Sequence, residues 1–201
     1  MIATQPQLPL LGTMAGFRRF SVPEYHRLTE IGVLTEDDNL ELIEGYLVLK
    51  MSRNPPHDCS IQLTSGAITT ANPNGWCLRV QCAITLADSE PQPDITLARG
   101  SARSYAAHHP APGEIGALVE VADSTLLGDR ADKGRIYARA NLPIYWIVNL
   151  VDRQIEVYEQ PSGPTAAPAY GKVTTSRAGD AIPLVLDGVS VATFAVNDLL
   201  P

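Results

Sequence analysis

Four carboxylates stand in stretches that otherwise read as buried. Glu41 and Glu44 lie in "NLELIEGYLV", Asp94 in "PDITL" and Glu120 in "ALVEVAD". Charged side chains are almost never fully buried unless they are paired or bound to a metal. Taken singly, each has an ordinary structural reading. Glu41 and Glu44 suit an exposed strand edge, Asp94 a cap at a strand start, and Glu120 a pairing with a buried arginine. Asp94 and Glu120 together point to chemistry. One opens a strand and the other nearly closes another, so adjacent strands would bring both to one end of a sheet. Like charges that close repel unless a cation stands between them. Hard oxygen ligands of this kind suit Mg²⁺ or Mn²⁺ and not zinc. A base follows in "DRADKGRIYAR", where Asp129, Lys133 and Tyr137 recur every fourth residue and share one helix face. That helix begins soon after the Glu120 strand, so Lys133 can point back over the strand end. The competing reading is a solvent-facing Asp129–Lys133 pair, worth about 0.2–0.5 kcal/mol.

The elements that must position these residues can be read along the chain. "RFSVPEYHRL" starts a helix, with Ser21 as N-cap and Glu24 completing a capping box, and the helix runs to about Ile31 before Gly32. "NLELIEGYLVLK" suggests a strand bent at Gly45, and "SRNPPH" breaks it. Residues 57–71 read as a helix. "WCLRVQCAITL" alternates, placing Trp76, Leu78, Val80, Cys82, Ile84 and Leu86 on one strand face. "PDITLA" is the next strand, and residues 99–114 are a loop. "IGALVEVA" is apolar enough for a central strand covered on both faces. "DRADKGRIYARAN" is a helix closed by Asn141 and Pro143. "PIYWIVNL" and "RQIEVYEQ" form a hairpin. Short strand patterns fill the last forty residues, after the flexible-looking "EQPSGPTAAPAYG". The order α, β, α, β, β, β, α, β, β implies a mixed α/β sheet with helices packed on it. A single domain is expected over residues 1–201, with a core of about 18–162 and a C-terminal β extension over 163–201.

Composition narrows the function classes. The chain has 201 residues, 45% of them hydrophobic, enough to bury a real core. No run is long enough to be a membrane helix. The first basic residue is Arg18, so the apolar N-terminus lacks the charged start of a signal peptide. Cys59, Cys77 and Cys82 form no CxxC pair and read as core or near-core thiols, which fits a reducing cytoplasm. A formal charge of −7 argues against non-specific coating of nucleic acid, but leaves room for a local basic patch or for an acidic site neutralised by metal. The histidines His26, His108 and His109 have no matching motif, and the last two read as solvent-exposed loop residues. No G-x-S-x-G or Cys/His signature of covalent catalysis is present.

The motifs "ELIEG", "PPH", "PDITL", "EVADSTLLGDRADKGRIYARANLPIYWIVNL" and "EVYEQP" together resemble the Uma-two family of candidate endonucleases. These belong to the restriction-endonuclease-like, PD-(D/E)XK superfamily. The resemblance spans roughly residues 18–162. It implies a mixed sheet flanked by helices, with a divalent-metal site at one sheet edge. Asp94 matches the PD aspartate and Glu120 the second acid, both metal ligands. Glu41 matches the superfamily's N-terminal acid, with Glu44 a second candidate. Ala122 occupies the position of the superfamily lysine, and Lys133 matches the lysine displaced to the next helix. His57, Asp129 and Tyr137 match recurrent positions as supporting residues. The implied activity is Mg²⁺- or Mn²⁺-dependent hydrolysis of DNA by a homodimer. The alternatives are a catalytically idle protein-interaction module on the same fold and, third, a small-molecule metal hydrolase.

Overall fold

The computed structural model describes residues 16–201; the N-terminal stretch before Gly16 and its expected lack of a signal peptide lie outside the described residues. The fold is built on a six-stranded mixed sheet ordered β3-β4-β5-β6-β7-β8. Its strands are β3 (Trp76–Val80), β4 (Ile95–Arg99), β5 (Ile115–Ala122), β6 (Ile144–Asn149), β7 (Gln154–Pro161) and β8 (Tyr170–Arg177). β5 and β6 pair in parallel, and all other neighbours are antiparallel. A parallel pair needs a long crossover, supplied here by a helical rod over residues 126–139, called α3. The helices α1 (Val22–Glu30) and α2 (Pro55–Ala71) and the hairpins β1–β2 (Leu40–Ile43, Tyr46–Leu49) and β9–β10 (Ala181–Leu186, Val189–Ala195) complete the chain. The expected mixed α/β sheet flanked by helices, with extra C-terminal strands, is the observed architecture.

Every residue of β5 is buried, as expected for a central strand covered on both faces. Ala117, Val119 and Val121 join the core formed with α2 and the β9–β10 hairpin, through Ile61, Ile68, Ile182 and Leu184. Leu118 and Ala122 join the opposite core, formed with α3 through Ile136 and Tyr137. The alternation of the strand therefore directs Glu120 toward α3. Gly116 sits where Trp76 crosses β5, and a Cβ there would meet the indole at 2.5 Å.

Two sequence expectations are corrected by backbone turns. The stretch read as one strand bent at Gly45 is a tight hairpin, with Glu44 (φ +49°) and Gly45 (φ +81°) as its two left-handed turn residues. Positive φ at both central positions is what a two-residue hairpin of this hand requires. The strand from Trp76 ends at Val80, not Leu86. Gln81 adopts φ +52° and turns the chain. As a result Trp76 and Leu78 pack against one core while Ile84 and Leu86 join the other, although their spacing alone put them on one face. The cysteines are also less buried than expected. Cys59 is exposed on α2, whose inner face is Ser60, Ile61, Thr64 and Ile68, while Cys77 and Cys82 are half-buried, and all three are free. The Ser21–Glu24 capping box forms as read. No helix among the described residues is long and apolar enough to cross a membrane.

Candidate active site

At one end of the sheet β4 begins beside the end of β5. The register pairs Ile95 with Val119, which brings Asp94 level with Glu120 on the neighbouring strand. Cross-strand positions of this kind have Cβ atoms about 4.5–5.5 Å apart. Asp94 is 8% exposed and Glu120 3%. Asp94 Oδ2 accepts the Val121 N–H at 2.9 Å and lies 3.3 Å from His57 Nε2. Its Oδ1 faces the Gln81 amide at 3.4 Å. Burial pushes the Asp94 carboxyl up, but His57, the Val121 amide and the Lys133 charge outweigh it and hold the group below its ordinary value.

Glu120 has the opposite balance. Tyr137 donates its hydroxyl to Oε1 at 2.7 Å, and Lys133 Nζ stands 3.0 Å from the same oxygen. Burial is the largest influence on Glu120, and Asp94 and Asp129 add to it. Lys133 opposes them, and the carboxyl is pushed up to about 8. Lys133 loses hydration too, yet Glu120, Asp129 and Glu41 hold its ammonium well above the usual lysine range. Its side chain is 23% exposed, with the amine directed at Glu120 and, at 3.4 Å, at Asp129 Oδ1. The two sequence readings of Lys133 thus meet in one geometry: the pair with Asp129 exists, but it faces inward.

The helix that delivers Lys133 is not uniform. Residues Asp129–Lys133 form a π turn between two α segments, Leu126–Gly128 and Gly134–Arg139. Such turns are frequent at functional sites because one extra residue re-aims the side chains that follow. Asp129 is 2% exposed, and its Oδ2 accepts the Thr125 hydroxyl at 2.6 Å. From the other layer, Asn54 caps α2 by accepting the His57 N–H at 3.1 Å and donates to Asp123 at 2.6 Å. This ties the start of α2 to the turn after β5 and places His57 beside Asp94. Burial lowers the His57 pKa, but Asp94 outweighs it and raises the group above its ordinary value. The His57 Nδ1 atom is buried without a hydrogen-bond partner.

The structure therefore brings Asp94, Glu120, Lys133, Asp129, Tyr137 and His57 together. Glu41 flanks them. Its Oε2 accepts the Gln92 N–H at 3.0 Å, and its charge acts on Lys133 and Tyr137. Glu44 stands apart. The hairpin turn directs it to the outer side of α3, where Arg135 reaches it at 2.6 and 2.7 Å and Arg139 at 2.9 Å. Its carboxyl is lowered chiefly by the Arg135 hydrogen bonds, which marks a clamp between hairpin and helix. Gln81 and Gln92, which bond to Asp94 and Glu41, were not singled out from the sequence. Gln81 looked like an ordinary polar-face strand residue, and only its left-handed backbone turns it to the site.

Among the described residues, no three His, Cys, Asp or Glu side chains form a ready metal cage. The donor set still has the chemistry of a cation site. Four acids (Glu41, Asp94, Glu120 and Asp129) face one lysine and one histidine, and burial, with Asp94 and Asp129 adding to it, pushes the acid at the centre up to about 8. Mg²⁺ is characteristically held by one or two carboxylates, with water and substrate phosphate oxygens filling its remaining positions. Asp94 and Glu120 fit that role.

The family model described as "Uma2: Putative restriction endonuclease" matches residues 22–195. No curated protein sequence matches the chain. Among solved structures, a crystal structure of a "putative nuclease belonging to DUF820" from Anabaena variabilis matches with a TM-score of 0.67 and 14% identity, covering 90% of this chain and 97% of that one. At that identity the likeness shows a shared fold.

Proposed function

Because the chain belongs to the Uma2 family, and because its paired strand-end acids face a buried lysine, we propose that it is a divalent-metal-dependent endonuclease that hydrolyses DNA phosphodiester bonds. The family and the shared fold support a nuclease-like function. The finer reading rests on the Glu120 carboxyl, an acid held in a dry site with its pKa pushed up to about 8 beside a second carboxylate and a lysine. Restriction-endonuclease-like families usually use divalent metals. A Mg²⁺ or Mn²⁺ ion at Asp94 and Glu120 would polarise the scissile phosphate and lower the pKa of a bound water.

The chain's own residues supply the rest. Lys133 is kept charged by Glu120, Asp129 and Glu41, and its ammonium stabilises the negative charge that builds on the phosphate. Asp129, fixed by Thr125, holds that lysine in place. Tyr137 orients Glu120 through Oε1, and His57 orients Asp94 through Oδ2. A homodimer working in the cytoplasm, with one site per DNA strand, belongs to the same proposal. The test is nicking of supercoiled plasmid by the purified protein in Mg²⁺ and in Mn²⁺. The expected result is cleavage that EDTA and Asp94→Asn both remove. No cleavage in either metal would support the idle interaction module instead.

A further inference from the structure

We infer that Lys50 and Arg53, on the loop between β2 and α2, clamp the backbone phosphates of a DNA strand on either side of the candidate active site. The inference rests on the nuclease reading and adds how a chain of net charge −7 holds a polyanion. Most cations around the site are committed to carboxylates. Lys133 pairs with Glu120 and Asp129, Arg130 with Glu156 and Asp152, Arg135 with Glu44, and Arg139 with Glu44 and Asp88. Lys50 and Arg53 differ. Lys50 Nζ donates to the Gln92 amide oxygen at 2.8 Å, and Arg53 donates to the Gln81 amide oxygen. A neutral amide fixes the side chain without cancelling its charge. The nearest acid to Arg53 is Asp58, 4.0 Å from Nε with both side chains half-exposed, and such a pair contributes about 0–1 kcal/mol.

The same two glutamines touch the site acids. The Gln92 N–H donates to Glu41, while the Gln81 N–H donates to the Asp94 carbonyl at 2.9 Å and its side-chain amide faces Asp94 Oδ1. Each cation is thus one residue removed from a site carboxylate, one on the Glu41 side and one on the Asp94 side. Arg53 also lines a cleft with Asn54, His57 and the turn 123–125, and His57 in turn reaches Asp94 at 3.3 Å. The arrangement presents two positive charges at the mouth of an acidic site, Lys50 held by an amide and Arg53 held by an amide with only a loose, half-exposed contact to Asp58. Phosphate contacts of this kind fix position and register without reading sequence.

The test is binding of a short DNA duplex, followed by fluorescence anisotropy in EDTA over a salt series. The double variant Lys50→Gln/Arg53→Gln is compared with wild type. Each phosphate contact contributes about 0.9 to the slope of log affinity against log salt, so the variant slope is expected to fall by roughly 2. Two controls accompany it. Lys50→Arg/Arg53→Lys keeps the charges and should keep the slope. Lys172→Gln/Arg177→Gln removes two cations from β8, the far edge strand, and should also leave the slope unchanged. An unchanged slope in Lys50→Gln/Arg53→Gln, or no DNA binding by the wild type, overturns the clamp. Because this readout needs no metal and no turnover, it separates from the nuclease reading. A wild type that nicks plasmid with an unchanged variant slope loses only the clamp. A reduced slope without any nicking loses only the nuclease.

Discussion

Glu120 and Glu156 occupy the same row of the sheet. Ile147 of β6 pairs with Glu120 on one side and with Glu156 on the other. Both acids are 3% exposed and both face α3, about 9–10 Å apart at ordinary strand spacing. Their chemistry is opposite. Burial pushes Glu156 up, but Arg130, Asn149, Gln154 and Tyr158 all donate to it and hold it at about 2. Burial also pushes Glu120 up, Asp94 and Asp129 add to it, and with only Tyr137 and a lysine shared with Asp129 to oppose them the carboxyl stands at about 8. A buried acid with every lone pair answered is a structural joint. A buried acid without that set of donors is what the proposed cation site at Glu120 rests on. Low exposure, strand row and facing helix are shared; the difference lies in how deeply packed atoms surround Glu120 and in the donors that answer Glu156.

The largest effect should come from exchanging each glutamate for its amide. Glu120→Gln is expected to lower plasmid nicking on the order of a thousandfold or more, with a melting temperature equal to wild type or higher. Glu156→Gln should leave nicking near wild type and cost about 1–2 kcal/mol in urea unfolding, since it weakens the charge-assisted bonds from Arg130, which keeps only its longer contact to Asp152. Lys133→Ala should lower nicking by about 10²–10³-fold with Mn²⁺ binding retained in calorimetry. If instead it leaves the rate unchanged, Lys133 serves only to neutralise Glu120.

The comparison also predicts an acid limb in stability. Glu156 titrates near 4.5 unfolded and near 2 folded, so its contribution is present above the unfolded value. It is lost as pH falls from about 4.5 toward about 2, because the unfolded state then binds the proton first. Urea midpoints measured down that range should fall in wild type, and the Glu156→Gln variant should lack that part of the fall. The smallest effect is expected at Glu44→Gln, which loosens the clamp to Arg135 and Arg139 at a cost of about 1–2 kcal/mol without a change in kcat. A collapse of kcat with KM unchanged would place Glu44 in the chemistry after all.

Much of this was legible from residue order. The apolar run of β5, the capping box at Ser21 and the mixed sheet follow from periodicity and turn chemistry. The suspicion about Asp94 and Glu120 followed from charge in apolar company. What hid was decided by single backbone angles and by tertiary partners. Gln81 and Glu44 take left-handed conformations that residues with a Cβ seldom adopt, so the end of β3 was marked by no turn residue and the β1–β2 hairpin by Gly45 alone. Glu44 reads as a weaker match to the same position as Glu41, three residues away. Only the turn between the strands sends one toward the site and the other to the arginines. The π turn in α3 likewise leaves no mark in the four-residue spacing of Asp129, Lys133 and Tyr137.

The most direct test sets the two glutamates side by side: plasmid nicking by wild type, Glu120→Gln and Glu156→Gln at equal folded concentration, in Mg²⁺ and in Mn²⁺. Wild type and Glu156→Gln should nick the plasmid, and Glu120→Gln should not do so above background. Nicking by Glu120→Gln at the wild-type rate would contradict the proposed cation site at Glu120.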